Sequence, residues 1–190
     1  NIWDLRHGPA KCVRTLRFTA PVLQVQFSPS SSRTLLAVLE SREAFLVRFP
    51  SWEDVQSTTM STEPRRIALH GTPDTSAACF TPDGLWILTG SVKGVIRLVN
   101  GQDGRLVHDL PCQIGASMIR EIVLDEQSRH VAVNMNDRTV RTLRVTYNDG
   151  CEMPTGLTPT HKFQDLVSRT PWSGIGFSRG AEYVIGGAAQ

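Results

Sequence analysis

The stretch FTPDGLWILTGSVKGVIRLVN, residues 80–100, decides the fold of this 190-residue chain. TPDG (81–84) is a turn sequence, because Asp bonds to nearby backbone and Gly accepts a positive φ. The apolar run LWIL (85–88) follows, and a second polar turn, SVKG (91–94), leads into VIRLVN (95–100). In the last segment Val95, Arg97 and Val99 point one way, and Ile96 and Leu98 point the other. The stretch therefore predicts short antiparallel strands joined by tight turns.

The same order of strand end, polar turn, apolar strand and small residues recurs along the chain. It is found in FSPSSSRTLLAV (27–38) and FSRGAEYVIGGA (177–188), and in degenerate form in LDEQSRHVAVNMND (124–137). The aligned positions Phe27, Phe80, Leu124 and Phe177 are 53, 44 and 53 residues apart. A four-stranded propeller blade takes about 40–45 residues, so this spacing predicts an all-β propeller in which two blades carry insertions.

The repeats divide the chain into blade pieces over approximately residues 1–17, 22–70, 75–110, 118–166 and 172–190. These are the tail of one blade, about three blades and half of another, so we expect a fragment of a seven-bladed propeller. Residues 145–161 are polar and rich in Gly, Pro and Thr, which predicts an insertion loop. Five aromatic side chains are expected to anchor the blades: Trp3, Phe27, Phe80, Trp172 and Phe177.

These segments resemble WD repeats, which are named after a Trp-Asp pair at the end of a strand. FTPDGLWILTGSVKGVIRLVN follows that pattern through two strands and part of a third. The dipeptide itself is kept only in NIWD (1–4), whereas VN (99–100) and LR (143–144) stand at the matching places. The resemblance implies a degenerate WD40 β-propeller.

Composition and motifs indicate a chain without catalysis. The net charge is only +2, and no run approaches the roughly 18 apolar residues of a membrane span. The first residues show no signal peptide, although the chain opens within a motif. Four cysteines stand far apart without a CxxC pair or a histidine at metal-ligand spacing, which favours reduced thiols and no metal.

No motif of a nucleophile elbow, phosphate loop, zinc protease or dinucleotide site is present, and the five histidines fall in or beside turns. We therefore expect no enzyme activity, no cofactor and no small-molecule substrate. Propellers commonly present loops to partners, so an interaction role is favoured.

KFQDLVSRTPW, residues 162–172, differs from the strands around it. Phe163, Leu166 and Val167 have the i, i+3, i+4 spacing of a helical turn, which Pro171 would end. The apolar stripe is expected to cap the gap between two blades. Arg169 is a candidate partner contact, and solvated surface is an equally good interpretation of it.

QDLVSRTPW, followed by FSRGAEYVIGG, resembles the retinoblastoma-binding-protein-five family, the WD-repeat subunit of COMPASS/MLL-type histone methyltransferase complexes. FTAPVLQVQFSP (18–29) is also similar to that family. The resemblance implies a nuclear, non-catalytic scaffold that works with a SET-domain methyltransferase and other COMPASS core subunits to methylate lysine four of histone three. It also implies that Arg169, and more weakly Lys162 and Arg179, contact a partner or nucleosomal phosphates.

Two other functions stay open at this point. A WD-repeat adaptor of another nuclear or cytoplasmic complex would have the same fold and a different set of partners. An enzyme domain is the other alternative, and no motif in the sequence supports it.

Overall fold

The computed structural model describes residues 1–5, 11–49, 65–66, 74–107, 112–148, 153–164 and 170–188. Within these ranges the chain is all-β, as the sequence predicts, apart from one short 3-10 turn over Arg179–Ala181. The strands are β1 (Ile2–Asp4), β2 (Lys11–Arg14), β3 (Val22–Ser28), β4 (Ser31–Leu39), β5 (Ala44–Arg48), β6 (Arg65–Arg66), β7 (Thr75–Phe80), β8 (Trp86–Ser91), β9 (Val95–Asn100), β10 (Cys112–Gln113), β11 (Ile119–Leu124), β12 (His130–Met135), β13 (Thr139–Tyr147), β14 (Pro154–Gln164), β15 (Trp172–Phe177) and β16 (Val184–Ala188).

The strands form three sheets of four and two sheets of two, all paired antiparallel between neighbours in the sequence. β3–β6, β7–β10 and β11–β14 each lie side by side in chain order, and β1–β2 and β15–β16 form the smaller sheets. The first strands β3, β7, β11 and β15 contact one another in succession. Each sheet is therefore one contiguous piece of sequence, and the first strands form a line along which the sheets are arranged.

The hydrophobic core lies between successive sheets. Ala78, Phe80 and Ile87 pack against the first four-stranded sheet, whereas Cys79 and Leu88 pack against the third. Neighbouring residues of a strand point to opposite faces, so both faces of the second four-stranded sheet are buried. A smaller cluster joins β1–β2 to the first four-stranded sheet through Ile2, Leu16 and Phe18.

Two of the five aromatic side chains that were expected to anchor the blades are exposed in the structure. Phe80 is only 3% exposed, and Trp172 and Phe177 are partly buried. Trp3 is 55% exposed and Phe27 is 45% exposed. Phe80 is covered because a complete sheet precedes β7, whereas the sheet that precedes β3 has only the strands β1 and β2 among the described residues.

The prediction of an insertion loop over residues 145–161 is wrong, because the end of β13 and most of β14 lie within this range and the two strands form a hairpin. β14 pairs with β13 from Pro154 to Gln164, so Phe163 lies in a strand opposite Val140 and not in a helical turn. The two prolines are accommodated because Pro154 begins the strand and Pro159 lies beside a shift in register. The rest of the predicted helical turn, including Leu166 and Val167, lies outside the described residues.

Candidate protein-interaction surface

The structure places two of the three predicted contact residues. Lys162 is exposed on β14, the outermost strand of its sheet, and Arg179 is exposed in the turn between β15 and β16. Lys162 belongs to the third four-stranded sheet, whereas Arg179 belongs to the turn that joins the two strands of the last sheet. Arg169 lies outside the described residues.

The surface of β14 around Lys162 combines aromatic and polar groups. The rings of His161 and Phe163 are stacked with centroids 5.8 Å apart, and Phe163 is 44% exposed. The Nδ1 of His161 is hydrogen-bonded to Thr142 Oγ1 at 3.2 Å, which fixes one end of the pair. Strand alternation puts the Lys162 side chain on the other face of β14, so the ordered ring pair and the cation are two separate candidate contacts for a partner.

The arginines of the third four-stranded sheet do not form one basic patch. Arg141 is paired with Asp137 at 3.3 Å and donates to the carbonyl of Ile114, so it joins two sheets. Arg144 is exposed, whereas Arg138 has a positive φ in the turn before β13. Arg138, Arg141 and Arg144 therefore lie in three different environments.

Trp172 closes the seam between the third four-stranded sheet and β15–β16. Its indole Nε1 donates to the carbonyl of Arg138 at 3.1 Å, and its own carbonyl accepts from Asn134 Nδ2 at 2.9 Å. Gly186 lies against the ring, where an added Cβ would be 2.8 Å from indole Cε3. Trp172 is thus fixed by one hydrogen bond from its indole and one to its backbone carbonyl.

Side-chain hydrogen bonds also join the first strands, and sequence reasoning missed them. Gln26 Oε1 accepts the backbone N–H of Phe80 at 3.0 Å, and Gln24 Oε1 accepts that of Ala78 at 3.4 Å. The only sequence signal was a pair of glutamines alternating with apolar residues in VLQVQF. These two bonds hold β3 against β7 along the line of first strands.

The same line continues with other side chains. Ser76 Oγ donates to the carbonyl of Ile119 at 2.6 Å and so joins β7 to β11. Glu121 Oε2 accepts the backbone N–H of Ile175 at 3.0 Å and joins β11 to β15. Side-chain hydrogen bonds therefore cross every junction between the four first strands.

A cavity of about 340 Å³ lies along β3, β7 and β11. Its lining consists of Gln24, Val25, Gln26, Pro29, Cys79, Phe80, Pro82, Glu121, Ile122, Val123 and Leu124. Burial, with a smaller effect of the Glu121 charge, raises the pKa of the Cys79 thiol to about 12. The thiol is therefore protonated at neutral pH, and Glu121 is the one carboxylate in the lining.

Within the described ranges, no three His, Cys, Asp or Glu side chains are grouped so that they could hold a metal ion. In the part of the chain that the structure describes, no helix is long and apolar enough to cross a membrane.

Comparisons with known proteins find relatives that share related names. COMPASS component SWD1 of Saccharomyces cerevisiae is 25% identical over 193 residues, covering 97% of this chain and 44% of the relative. Set1 complex component swd1 of Schizosaccharomyces pombe is 28% identical, covering 97% and 45%. The retinoblastoma-binding protein 5 homolog of Drosophila melanogaster is 29% identical, covering 100% and 37%. The chain thus spans less than half the length of these relatives, and no protein-family model matches it.

A solved structure agrees with these relatives. The crystal structure of the Cps50 (Swd1) β-propeller domain of Myceliophteria thermophila matches with a TM-score of 0.77 and 28% identity, covering 97% of this chain and 58% of that one. The match confirms the predicted all-β propeller architecture. The resemblance indicated by QDLVSRTPW is confirmed as well, since the chain is similar over nearly its whole length to Swd1 and retinoblastoma-binding protein 5 homologues.

Proposed function

We propose that this chain is part of a non-catalytic scaffold subunit of a COMPASS-type complex in the nucleus. In this role it supports a SET-domain methyltransferase that methylates lysine four of histone three. One observation carries the proposal, namely similarity along at least 97% of the chain to relatives named as components of COMPASS and of the Set1 complex. The similarity of the fold to the Swd1 propeller supports it further.

The partner surface belongs to the outer strand and the adjoining junction between sheets. Lys162 lies between His161 and Phe163 on β14, with its side chain on the opposite face of the strand from the ring pair. Arg169 follows β14 and precedes Trp172 in the sequence. Arg179 is exposed in the next turn. Positive side chains at these positions suit an acidic protein surface or the phosphates of nucleosomal DNA, where each contact adds salt-dependent affinity.

Affinity purification of the tagged full-length protein from nuclear extract, with mass spectrometry of the bound proteins, tests the assembly. We expect a SET-domain methyltransferase and the other core subunits to be recovered. A stable but different set of partners would leave the propeller intact and favour an adaptor of another complex.

The surface is tested separately with Arg169→Ala in the reconstituted full-length complex. We expect weaker nucleosome methylation that depends less steeply on added salt, because one phosphate contact is lost. Arg105→Ala, at an exposed arginine in the loop after β9, is the control. Unchanged assembly and methylation would show that Arg169 is only solvated surface.

A further inference from the structure

The cavity along the first strands contains a charge that the fold does not require. Gln24 and Glu121 occupy the same position in the repeat, three residues before Phe27 and Leu124 respectively. Each side-chain oxygen accepts a backbone N–H of the next first strand, at 3.4 Å for Gln24 and 3.0 Å for Glu121. A neutral amide is therefore sufficient for this hydrogen bond, and the carboxylate adds a negative charge.

Nothing in the described part of the chain neutralises that charge. The ion pairs found there involve other carboxylates, such as Asp74 with Arg97 and Asp137 with Arg141. The Glu121 carboxylate accepts only the N–H of Ile175, whereas an ionised carboxylate offers about four acceptor positions. The Glu121 side chain is only partly buried, and it belongs to the lining of the cavity.

The shape and lining of the cavity indicate which ligand would fit. About 340 Å³ is near the lower end of the range of about 300–1,000 Å³ for small-ligand pockets, so there is room for one long side chain. Phe80, Val123 and Leu124 supply apolar surface for a methylene stem. Glu121 supplies a charged acceptor for a cationic end group.

We propose that this cavity binds a lysine or arginine side chain from a peptide segment of a partner protein, with Glu121 as its counter-charge. The interaction is independent of the proposed function, because it depends only on the charge and on the walls of the cavity.

Titration of the ¹⁵N-labelled chain with the peptide acetyl-Gly-Arg-Gly-amide, followed by NMR, tests the site. We expect the backbone amide signals of Cys79, Phe80 and Ile175 to shift in a saturable way. The same peptide with citrulline in place of arginine has nearly the same shape without the charge, and it should bind at least about tenfold more weakly. Equal binding of the two peptides, or no shift at these amides, would overturn the proposal.

Glu121→Gln tests the charge without removing the hydrogen bond, because the glutamine oxygen still accepts the Ile175 N–H. We expect binding of the arginine peptide to weaken by about tenfold or more, while the exposed control Glu126→Gln binds as the unmodified chain does. Equal affinity of Glu121→Gln and the unmodified chain would contradict the role of Glu121. Gln24→Glu gives a second test in the same cavity, since an added carboxylate should tighten binding and an unchanged affinity would count against the site.

Discussion

At the scale of single residues, the Cys79 thiol makes the stability of the protein depend on pH. Its pKa is about 12 in the folded chain, against 9.0 for an ordinary thiol, chiefly because the side chain is buried and secondarily because Glu121 is near. Above pH 9 the unfolded chain releases this proton while the folded chain retains it. The free energy of unfolding therefore falls as pH rises from about 9 towards 12, by at most about 1.4 kcal/mol per pH unit from this group.

Cys79→Ala should remove that contribution. The substitution lowers stability at neutral pH by leaving a small cavity. Above pH 9 the decline of the unfolding free energy should become shallower, because the titrating thiol is absent. Urea unfolding at several pH values between 7 and 10.5 measures the slope, and Cys12→Ala, at an exposed cysteine, serves as the control. Parallel slopes for Cys79→Ala and the unmodified chain would mean that the thiol is not protected in the folded state.

At the scale of elements, the hairpin β15–β16 depends on a close approach of Gly186 to the Trp172 ring. Gly186→Ala would place a Cβ 2.8 Å from indole Cε3 and should lower the unfolding free energy by about 1–3 kcal/mol. Nothing lies within 4 Å of a Cβ added at Gly187, so Gly187→Ala is a matched control for the same strand. Thermal unfolding compares the melting temperatures of the two variants. Equal melting temperatures would show that Gly186 does not pack closely against the Trp172 ring.

The hairpins could be predicted from sequence where turn chemistry is strong. In TPDG, Asp83 Oδ1 accepts from Thr81 Oγ1 and from the N–H of Leu85, and Gly84 has a φ of 71°, as the residue types indicate. β14 was missed because its Thr, Pro and Gly are also typical of loops. It forms a strand because β13 supplies a long partner edge, and tertiary pairing of this kind has no local sequence signal.

At the scale of the whole molecule, side-chain hydrogen bonds between the first strands of successive sheets join those sheets to one another. Gln26→Leu would leave the Phe80 N–H without its acceptor, and we expect a loss of about 1–3 kcal/mol in the free energy of unfolding. Gln102→Leu, at an exposed turn position, should change it by less than about 0.5 kcal/mol. Urea unfolding measures the change in unfolding free energy for both variants. Equal changes would show that water replaces the Gln26 oxygen as acceptor for the Phe80 N–H without loss of stability.

Sequence analysis predicted the all-β propeller architecture, because each sheet in the described part of the chain is a local repeat with its own turns. It could not predict how the sheets are joined, because Gln26 and Phe80 are 54 residues apart and neither residue type indicates the other. It also could not predict that Phe27 would be exposed, since burial at that position depends on the sheet that precedes β3. Local turn chemistry therefore predicts hairpins, whereas contacts between sheets and the pairing of β14 have no local sequence signal.

The contiguity of each sheet has a consequence for how the chain is made. A ribosome adds about 5–20 residues per second, so the segment that encodes one sheet emerges over several seconds. A β-hairpin forms in about 1–10 microseconds, and the strands that the structure describes pair with their neighbours in the sequence. Each sheet can therefore fold during translation, and each finished sheet presents a template on which the first strand of the next one docks.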